Sequence, residues 1–235
     1  MANENFLKKN ILGIIPARGG SKGIPRKNIK PLHGKPLIYY TIKEALKSKF
    51  LNRVVVSTED NDIAEIAKKF GAKVIKRPKE LARDETPIRD VVIHVLNKFK
   101  EKKYIPDAVV LLQPSSPLRK AHHIDEAISL FFHENCDFVV SVCESKKPPY
   151  WYFIAEGNYL RPLLKPDDSW SGRQDLPKTY IPNGALYIST PEKLYKFSNY
   201  YNGKIVPYVM SMEESVDIDD ELDFILAEKL MERKK

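Results

Sequence analysis

Residues 16–28, PARGGSKGIPRKN, combine three glycines with four basic side chains directly after a short apolar run. The cations are Arg18, Lys22, Arg26 and Lys27. Glycines let backbone N–H groups turn toward an anion, and the cations add formal charge, so we expect this segment to hold a polyphosphate. Its spacing matches neither GxxxxGK[ST] nor GxGxxG, which disfavours those two nucleotide-binding loops. The alternative is a mobile basic loop, which its position directly behind a buried strand makes the weaker interpretation.

Asp217 and Asp219 are separated by a single apolar residue, Ile218. In an extended chain residues i and i+2 point the same way, so both carboxylates can reach one cation while Ile218 faces the core. Mg²⁺ commonly takes one or two carboxylates and completes its shell with waters and substrate phosphates. The alternative is that Asp219 or Asp220 caps the N-terminus of a following helix. Both roles are compatible if Asp220 is the cap.

Charge is unevenly distributed along the chain. Residues 5–43 contain no acid, whereas residues 213–223 contain seven acids and no base. The two segments either meet across one site or form two solvated faces, which is the usual fate of charge runs. The net charge of +8 and the pI of about 9.2 also admit a nucleic-acid-binding protein. The acidic segment and the position of the basic loop argue against that function.

Two further segments place polar side chains near buried strands. Residues 111–119, LLQPSSPLR, offer the amide of Gln113, the hydroxyl of Ser115 and the guanidinium of Arg119, which could take a carboxylate. Residues 173–175, RQD, and 181–187, IPNGALY, lie near a late strand. Taken alone, each of these patterns is weak, and a plain proline-rich turn is the favoured interpretation of the first.

The elements that must position these residues alternate along the chain. Short runs rich in Val, Ile and Leu predict buried strands, and runs with apolar residues at i, i+3, i+4 and i+7 predict helices between them. The strands are predicted at 11–15, 53–56, 73–75, 108–112, 138–142, 186–188 and 205–209. Gly71 is predicted to end one helix, and Thr86 to cap another that begins at Pro87. The pattern indicates an α/β fold with a mainly parallel sheet, which binds ligands beyond the carboxyl ends of its strands.

Composition excludes several classes of protein. No apolar run approaches the roughly 18 residues of a membrane span, and residues 11–15 are too short for the apolar region of a secretory signal. Cys136 and Cys143 are the only cysteines and form no CxxC pair, so a disulfide scaffold is excluded and a reducing cytoplasm is expected. The histidines show no zinc-site spacing with cysteine.

Residues 144–182 interrupt the alternation of strands and helices with prolines and aromatic residues. We expect an irregular excursion or a hairpin arm from the sheet. Exposed aromatic side chains are enriched at partner surfaces, and a loop packed on its own domain is an equally good alternative.

Taken together, the motifs resemble those of the acylneuraminate cytidylyltransferase family. They are IIPARGGSKGIPRKNIKPLHGKPLI, VVVSTED, GAKVIKRPKELARDET, LLQPSSPLR, RQDLPKTYIPNGALYI and SVDIDDELD, in this order. The resemblance implies a Rossmann-like nucleotidyltransferase fold, a GT-A-like three-layer sandwich with a mainly parallel sheet. It also implies a single domain over residues 1–235, with residues 144–182 as an arm that exchanges contacts in a homodimer.

The resemblance also implies roles for individual residues. The nucleotide would be held by Arg18, Ser21, Lys22, Lys27, Asn28, Arg77, Asp84 and Thr86. The sugar acid would be held by Gln113, Ser115, Arg173 and Gln174. Asp217 and Asp219 would hold Mg²⁺ (or Mn²⁺) and act in catalysis together with Arg18 and Lys27. Pro87 and Ile88 replace the small or hydroxyl residues of many relatives, so a side-chain contact from position 88 to the base is not expected.

The implied reaction joins CTP to a nonulosonic acid, a sialic acid or a relative such as legionaminic acid, giving the CMP-sugar and pyrophosphate. The product would serve surface glycan biosynthesis in the cytoplasm, with no membrane or nucleic-acid partner. The alternatives are a cytidylyltransferase for 3-deoxy-manno-octulosonic acid (Kdo), a GTP-using sugar nucleotidyltransferase and, least favoured, a basic nucleic-acid-binding protein.

Overall fold

The computed structural model describes residues 8–21, 23–164 and 176–233. Its strands are β1 (Ile11–Pro16), β2 (Pro31–Leu32), β3 (Lys35–Pro36), β4 (Arg53–Thr58), β5 (Lys73–Lys76), β6 (Ala108–Leu111), β7 (Phe138–Glu144), β8 (Phe153–Glu156), β9 (Tyr159–Pro162), β10 (Tyr180–Ser189) and β11 (Ile205–Val209). Its helices are α1 (Leu37–Lys47), α2 (Asn61–Lys69), α3 (Ile88–Lys100), α4 (Ala121–His133), α5 (Pro191–Lys196) and α6 (Glu221–Arg233). None of these helices is long and apolar enough to cross a bilayer.

Seven strands form one sheet in the order β11-β7-β10-β6-β1-β4-β5. The central strand β1 pairs in parallel with both neighbours, so that Ile14 stands opposite Val55 on β4 and Leu111 on β6. Only β10 runs antiparallel, against β6 on one side and β7 on the other. The mainly parallel sheet predicted from the sequence is therefore confirmed.

Alternate residues of the strands enter two cores, one on each face of the sheet. Ile15, Val56 and Val110 pack against α1, α2 and α4, whereas Ile14 and Val55 pack against α3 and α5. The strands are apolar on both sides because helices cover both faces. This arrangement is the predicted three-layer α/β sandwich.

A third, smaller core attaches the end of the chain to the segment that follows β1. Phe224 and Leu230 of α6 pack with Ile24, Leu118 and Ile218. Because Ile24 lies inside the basic glycine loop and Ile218 lies between the two aspartates, this core brings the basic and the acidic segments together. Their meeting across one site, left open by the charge pattern, is thus confirmed.

Two predictions about helix ends have different outcomes. Gly71 follows α2 with φ +90°, as expected for a left-handed C-terminal cap. The predicted cap at Thr86 is wrong, because Pro87 is still extended with ψ 133° and α3 begins at Ile88. Thr86 therefore lies one residue too early to cap, and its hydroxyl donates to the carbonyl of Glu80 at 3.2 Å.

The excursion after β7 contains an antiparallel hairpin of its own, made by β8 and β9. The excursion covers fewer residues than the predicted 144–182, because β7 continues to Glu144 and the chain has rejoined the sheet at Tyr180. Tyr159 and Leu160 of this hairpin are 81% and 68% exposed. Over the described residues, the hairpin thus carries apolar side chains that the body of the domain does not cover.

Candidate active site

One cavity of about 380 Å³ opens where β1 and β6 end, at the sheet edge that the parallel topology predicted. Its wall includes nearly all the described residues that the sequence nominated, namely Arg18, Ser21, Lys27, Asn28, Arg77, Asp84, Thr86, Gln113, Ser115 and Asp219. The other nominees are Asp217, Arg26 and Arg119, which do not line the cavity, and Lys22, Arg173 and Gln174, which lie outside the described residues. A single concave surface thus collects residues from both ends of the chain.

The glycine-rich loop is held against the end of β4 by hydrogen bonds and ion pairs. The buried amide of Asn28 donates to the carbonyl of Arg18 at 2.9 Å, and the N–H of Gly19 donates to Glu59 Oε1 at 2.7 Å. A Cβ at position 19 would lie 2.4 Å from Asp60 Oδ2, so only glycine permits this approach. These contacts hold the loop at Gly19 and at Asn28.

Arg26 has a different role from the one its charge suggested. Its backbone is left-handed, with φ 57°, and its guanidinium contacts Asp60 at 2.5 Å and Asp62 at 2.6 Å. Arg26 does not belong to the wall of the cavity. The start of α2 supplies two carboxylates that neutralise Arg26, so the structure does not bring it to the cavity with the other cations.

Glu59 was not nominated from the sequence, yet it connects two parts of the site. Its Oε1 holds Gly19, and its Oε2 accepts from Nε of Arg77 at 3.0 Å. Arg77 is 5% exposed, and burial lowers its pKa although the negative charge of Glu59 opposes the shift. Its guanidinium still carries a charge at neutral pH, since the unperturbed value lies far above 7. The sequence signal that could have identified Glu59 was its position directly after a buried strand, at the edge where parallel sheets bind ligands.

Arg18 and Asp84 pair with each other at 2.6 Å, although both belong to the cavity wall. Beyond them the wall is apolar, formed by Leu81, Ile88 and Val91. Ile88 has no hydrogen-bonding side chain to offer a ligand. These side chains give the cavity an apolar part beside its charged groups.

The turn after β6 brings Gln113 and Ser115 to the cavity but turns Arg119 inward. The guanidinium of Arg119 donates to the carbonyls of Gln113 at 3.1 Å and Ala185 at 2.5 Å, and the residue is 1% exposed. The suggestion that Arg119 takes a substrate carboxylate is therefore wrong. Because Pro114 and Pro117 reverse the chain within this turn, Arg119 lies beneath the cavity rather than in its wall.

The two aspartates lie in unequal environments. Ile218 is fully buried between them, and the Asp219 side chain is 82% exposed and lies 3.2 Å from the ammonium of Lys27. Asp217 Oδ1 is buried and has no hydrogen-bond partner. Burial raises the pKa of Asp217, the Ser115 hydroxyl opposes the shift by hydrogen bonding, and the charge of Asp219 raises it further. Asp220 caps α6 by accepting from the N–H groups of Leu222 and Asp223 at 2.8 and 3.0 Å.

This donor set is compatible with a hard divalent cation. A buried carboxylate oxygen without a partner costs free energy, and a cation would satisfy it. Within residues 8–21, 23–164 and 176–233, no group of three His, Cys, Asp or Glu side chains is arranged to hold a metal. Two aspartates are nevertheless sufficient for Mg²⁺ when waters and phosphates complete its shell.

Comparison with known proteins assigns the chain to a family. A family model described as cytidylyltransferase matches residues 12–156. The chain is 38% identical to the CMP-N,N'-diacetyllegionaminic acid synthase of Legionella pneumophila, over 94% of this chain and 96% of that protein. It is 34% identical to the N-acylneuraminate cytidylyltransferase of Escherichia coli O18:K1:H7, over 97% of this chain but 54% of that protein. The chain therefore spans about half the length of the second relative.

Among solved structures, a CMP:2-keto-3-deoxy-manno-octonic acid synthetase complexed with CTP superposes with a TM-score of 0.74. The match covers 96% of this chain and all of that one, at 17% identity. At this identity the likeness concerns the fold alone, and it agrees with the three-layer sandwich described above. The sequence matches carry the assignment further: the chain belongs to the cytidylyltransferase family and is a nucleotidyltransferase.

Proposed function

We propose that this protein transfers CMP from CTP to the anomeric hydroxyl of a nonulosonic acid and releases pyrophosphate. One observation carries the proposal. The basic glycine loop, the turn at Gln113–Ser115 and Asp219 all face one cavity, so a nucleotide and an acceptor can meet there. The identity with a named CMP-diacetyllegionaminate synthase over nearly the full length of both chains supports it.

The nucleotide half of the site follows from charge and shape. Arg18 and Lys27 would neutralise the triphosphate and the departing pyrophosphate, and Ser21 and Asn28 would add polar contacts within the loop. Lys22 belongs to this group through the family resemblance. The base would lie near Arg77, Asp84 and Thr86, against the apolar side chains of Leu81 and Val91.

The acceptor half would use the opposite wall of the cavity. Gln113 offers a donor and an acceptor, and Ser115 offers a hydroxyl. Arg173 and Gln174 join them through the family resemblance. The sugar hydroxyl attacks the α-phosphorus in line and breaks the bond to pyrophosphate, a step that depends on positioning and charge stabilisation more than on covalent catalysis. No side chain is assigned as general base.

Asp217 and Asp219 would hold Mg²⁺ or Mn²⁺. When bound, such an ion supplies Lewis-acid chemistry that lowers the pKa of a hydroxyl and neutralises phosphate charge. The buried Oδ1 of Asp217 is the natural first ligand, since it has no other partner. Lys27, beside Asp219, would orient that carboxylate and add a positive charge next to the phosphates.

We further propose a homodimer, with the β8–β9 hairpin as its arm. The support is the exposed apolar side chains of this hairpin, which include Phe153, Tyr159 and Leu160. A CTP-consuming reaction also fits the cytoplasm, where CTP is made and where the free thiols of Cys136 and Cys143 stay reduced. The CMP-sugar would then enter the assembly of a surface glycan.

The decisive experiment measures pyrophosphate release from CTP and Mg²⁺ with a panel of sugar acids, each beside a blank without sugar. The panel contains N,N'-diacetyllegionaminate, N-acetylneuraminate, pseudaminate and Kdo. We expect release with one nonulosonic acid, and first with diacetyllegionaminate because of the similarity reported above. Release with Kdo alone, or with GTP in place of CTP, would overturn the proposal.

A further inference from the structure

Gln113 and Asp217 converge on a single glycine, although one follows β6 and the other follows β11. A Cβ at Gly184 would lie 2.5 Å from Asp217 Oδ2 and 2.8 Å from Gln113 Oε1. Gly184 itself has φ +72° and belongs to a bulge, where the register between β10 and β7 shifts. The distance between the Gln113 amide and the Asp217 carboxylate, which the proposed function assigns to the acceptor and to the metal, therefore depends on the positions of the Gly184 bulge and of the turn after β6.

Arg119 is the residue that joins these two backbone segments. Its Nη1 donates to the carbonyl of Gln113 at 3.1 Å and to that of Ala185, the residue after the bulge glycine, at 2.5 Å. Its Nη2 donates to the hydroxyl of Thr41 at 2.7 Å, and that hydroxyl donates in turn to the Gln113 carbonyl at 3.3 Å. One planar fork thus fixes both segments against α1.

The environment of Arg119 shows that its charge is not used in a salt bridge. The side chain is almost fully buried, its Nε has no partner, and no described carboxylate lies within ion-pair distance of it. Burial lowers the pKa of Arg119 to about 9, although the charges of Glu44 and Asp217 oppose the shift. Burying such a group is costly unless it is well bonded, and an apolar residue of similar volume would fill the same space.

We propose that Arg119 is a positioning residue, which holds the Gln113 turn and the Gly184 bulge at the spacing that acceptor binding and catalysis require. The inference rests on the proposed function, because that function defines the acceptor side of the cavity. The nucleotide loop is anchored separately, through Glu59, Asp60 and Asn28, and so does not depend on Arg119. Loss of the guanidinium fork should therefore impair binding and turnover of the sugar acid more than binding of CTP.

The test compares Arg119→Lys with Arg89→Met. Lysine keeps the charge but lacks the planar fork, so it cannot donate to several fixed acceptors at once. Arg89 is the matched control, because it also donates to two backbone carbonyls, those of Leu194 and Tyr195, on the other face of the sheet. Three quantities are measured for each variant: the CTP dissociation constant by calorimetry, kcat and KM for the sugar acid, and Tm.

We expect kcat/KM of Arg119→Lys for the sugar acid to fall ~10- to 100-fold, the range that a misplacement of about 1 Å produces. The CTP dissociation constant should change by less than ~2-fold, and Arg89→Met should match the wild type in all kinetic constants. Sugar-acid kinetics equal to the wild type, or a parallel loss of CTP affinity, would overturn the inference. Either of these results, obtained while the wild-type enzyme turns over, overturns the inference alone. Absence of wild-type turnover with every acid overturns the proposed function as well.

A milder variant decides the matter if Arg119→Lys does not fold. Thr41→Val removes one acceptor of the fork but leaves both carbonyl bonds of Arg119. We expect its KM for the sugar acid to rise ~2- to 5-fold at unchanged CTP affinity, as for one lost hydrogen bond. An unchanged KM in this variant would overturn the inference.

Discussion

Lys27 Nζ lies 3.2 Å from Asp219 Oδ1, although the two residues are 192 positions apart in the chain. The same ammonium also donates to the carbonyl of Ile218, so the basic loop after β1 is bonded to the acidic segment before α6. Lys30 and Glu221 repeat the link at 2.6 Å. One part of the candidate active site is consequently a junction between the first and last fifths of the chain.

Removing the Asp217 carboxylate should separate activity from stability. We expect Asp217→Asn to lose turnover by ~100-fold or more, since a carboxylate of the proposed metal site disappears. Its Tm should stay equal or rise, because the lost charge is buried and destabilised by its surroundings. Asp107→Asn, at an exposed acid paired with Lys9, is the control. Near-normal turnover of Asp217→Asn in the pyrophosphate assay would contradict the metal assignment.

Arg18→Met should weaken nucleotide binding with little effect on folding. Its pair with Asp84 is about one-third exposed on each side, and pairs of this kind contribute ~0–1 kcal/mol to stability. The KM for CTP should rise ~10-fold or more, because the proposed charged contact to phosphate would be lost. Lys9→Met, in a pair of comparable exposure, should leave the KM unchanged. Equal KM values for the two variants would remove Arg18 from the site.

Gly184→Ala and Gly34→Ala separate backbone strain from a steric clash. Both glycines have positive φ, +72° and +76°, but only a Cβ at position 184 would meet neighbouring atoms. Each variant should lose ~1–2 kcal/mol of unfolding free energy, the cost of alanine in the left-handed region. Only Gly184→Ala should also lose turnover, because Asp217 and Gln113 must move apart. Equal turnover of the two variants, at equal stability, would argue against this arrangement.

His123 should make the protein less stable in acid. Burial, reinforced by the charge of His122, lowers the pKa of His123 to about 4, against the opposing charge of Glu214. Between pH 6.5 and 4 the unfolded chain therefore binds a proton that the folded chain excludes, so stability falls as pH falls through this window. The loss is up to ~3 kcal/mol.

Urea titrations at pH 7 and pH 4.5 measure this loss. His123→Gln should flatten the dependence on pH, since its amide oxygen can still accept from Lys120 N–H as the ring does at 3.0 Å. His133→Gln, at an exposed ring, should keep the slope of the wild type. A slope in His123→Gln as steep as in the wild type would assign the acid sensitivity to other groups.

Leu160→Glu should convert a dimer into monomers. Leu160 is 68% exposed on the hairpin, and Ile105, which is equally exposed before β6, offers a matched control. A charge at a buried interface position is costly, so sedimentation should show monomers for Leu160→Glu and dimers for Ile105→Glu. Dimers of both variants would place the interface elsewhere, and a monomeric wild type would refute the proposed homodimer.

Hydrophobic periodicity predicted the strands and helices because the spacing of apolar residues depends only on which faces of a short segment are buried. Ile14 and Ile15 are apolar in succession because helices cover both faces of β1. Strand direction does not change the spacing of apolar residues, so β10 could be predicted as a strand but not as the antiparallel one. The cap predicted at Thr86 lies one residue before the observed one at Pro87, because backbone angles decide where a helix begins.

The candidate site divides in the same way. Residue types and local spacing nominated Arg18, Lys27, Gln113 and the two aspartates, because glycine loops and paired carboxylates have chemical signatures within a few residues. Only the tertiary structure decided which charges are available to a ligand. Asp60 and Asp62 neutralise Arg26, and two backbone carbonyls and Thr41 engage Arg119. Most of these contacts join residues more than 30 positions apart. Whether a charge is free or engaged depends on its neighbours in space, which the order of residues alone does not state.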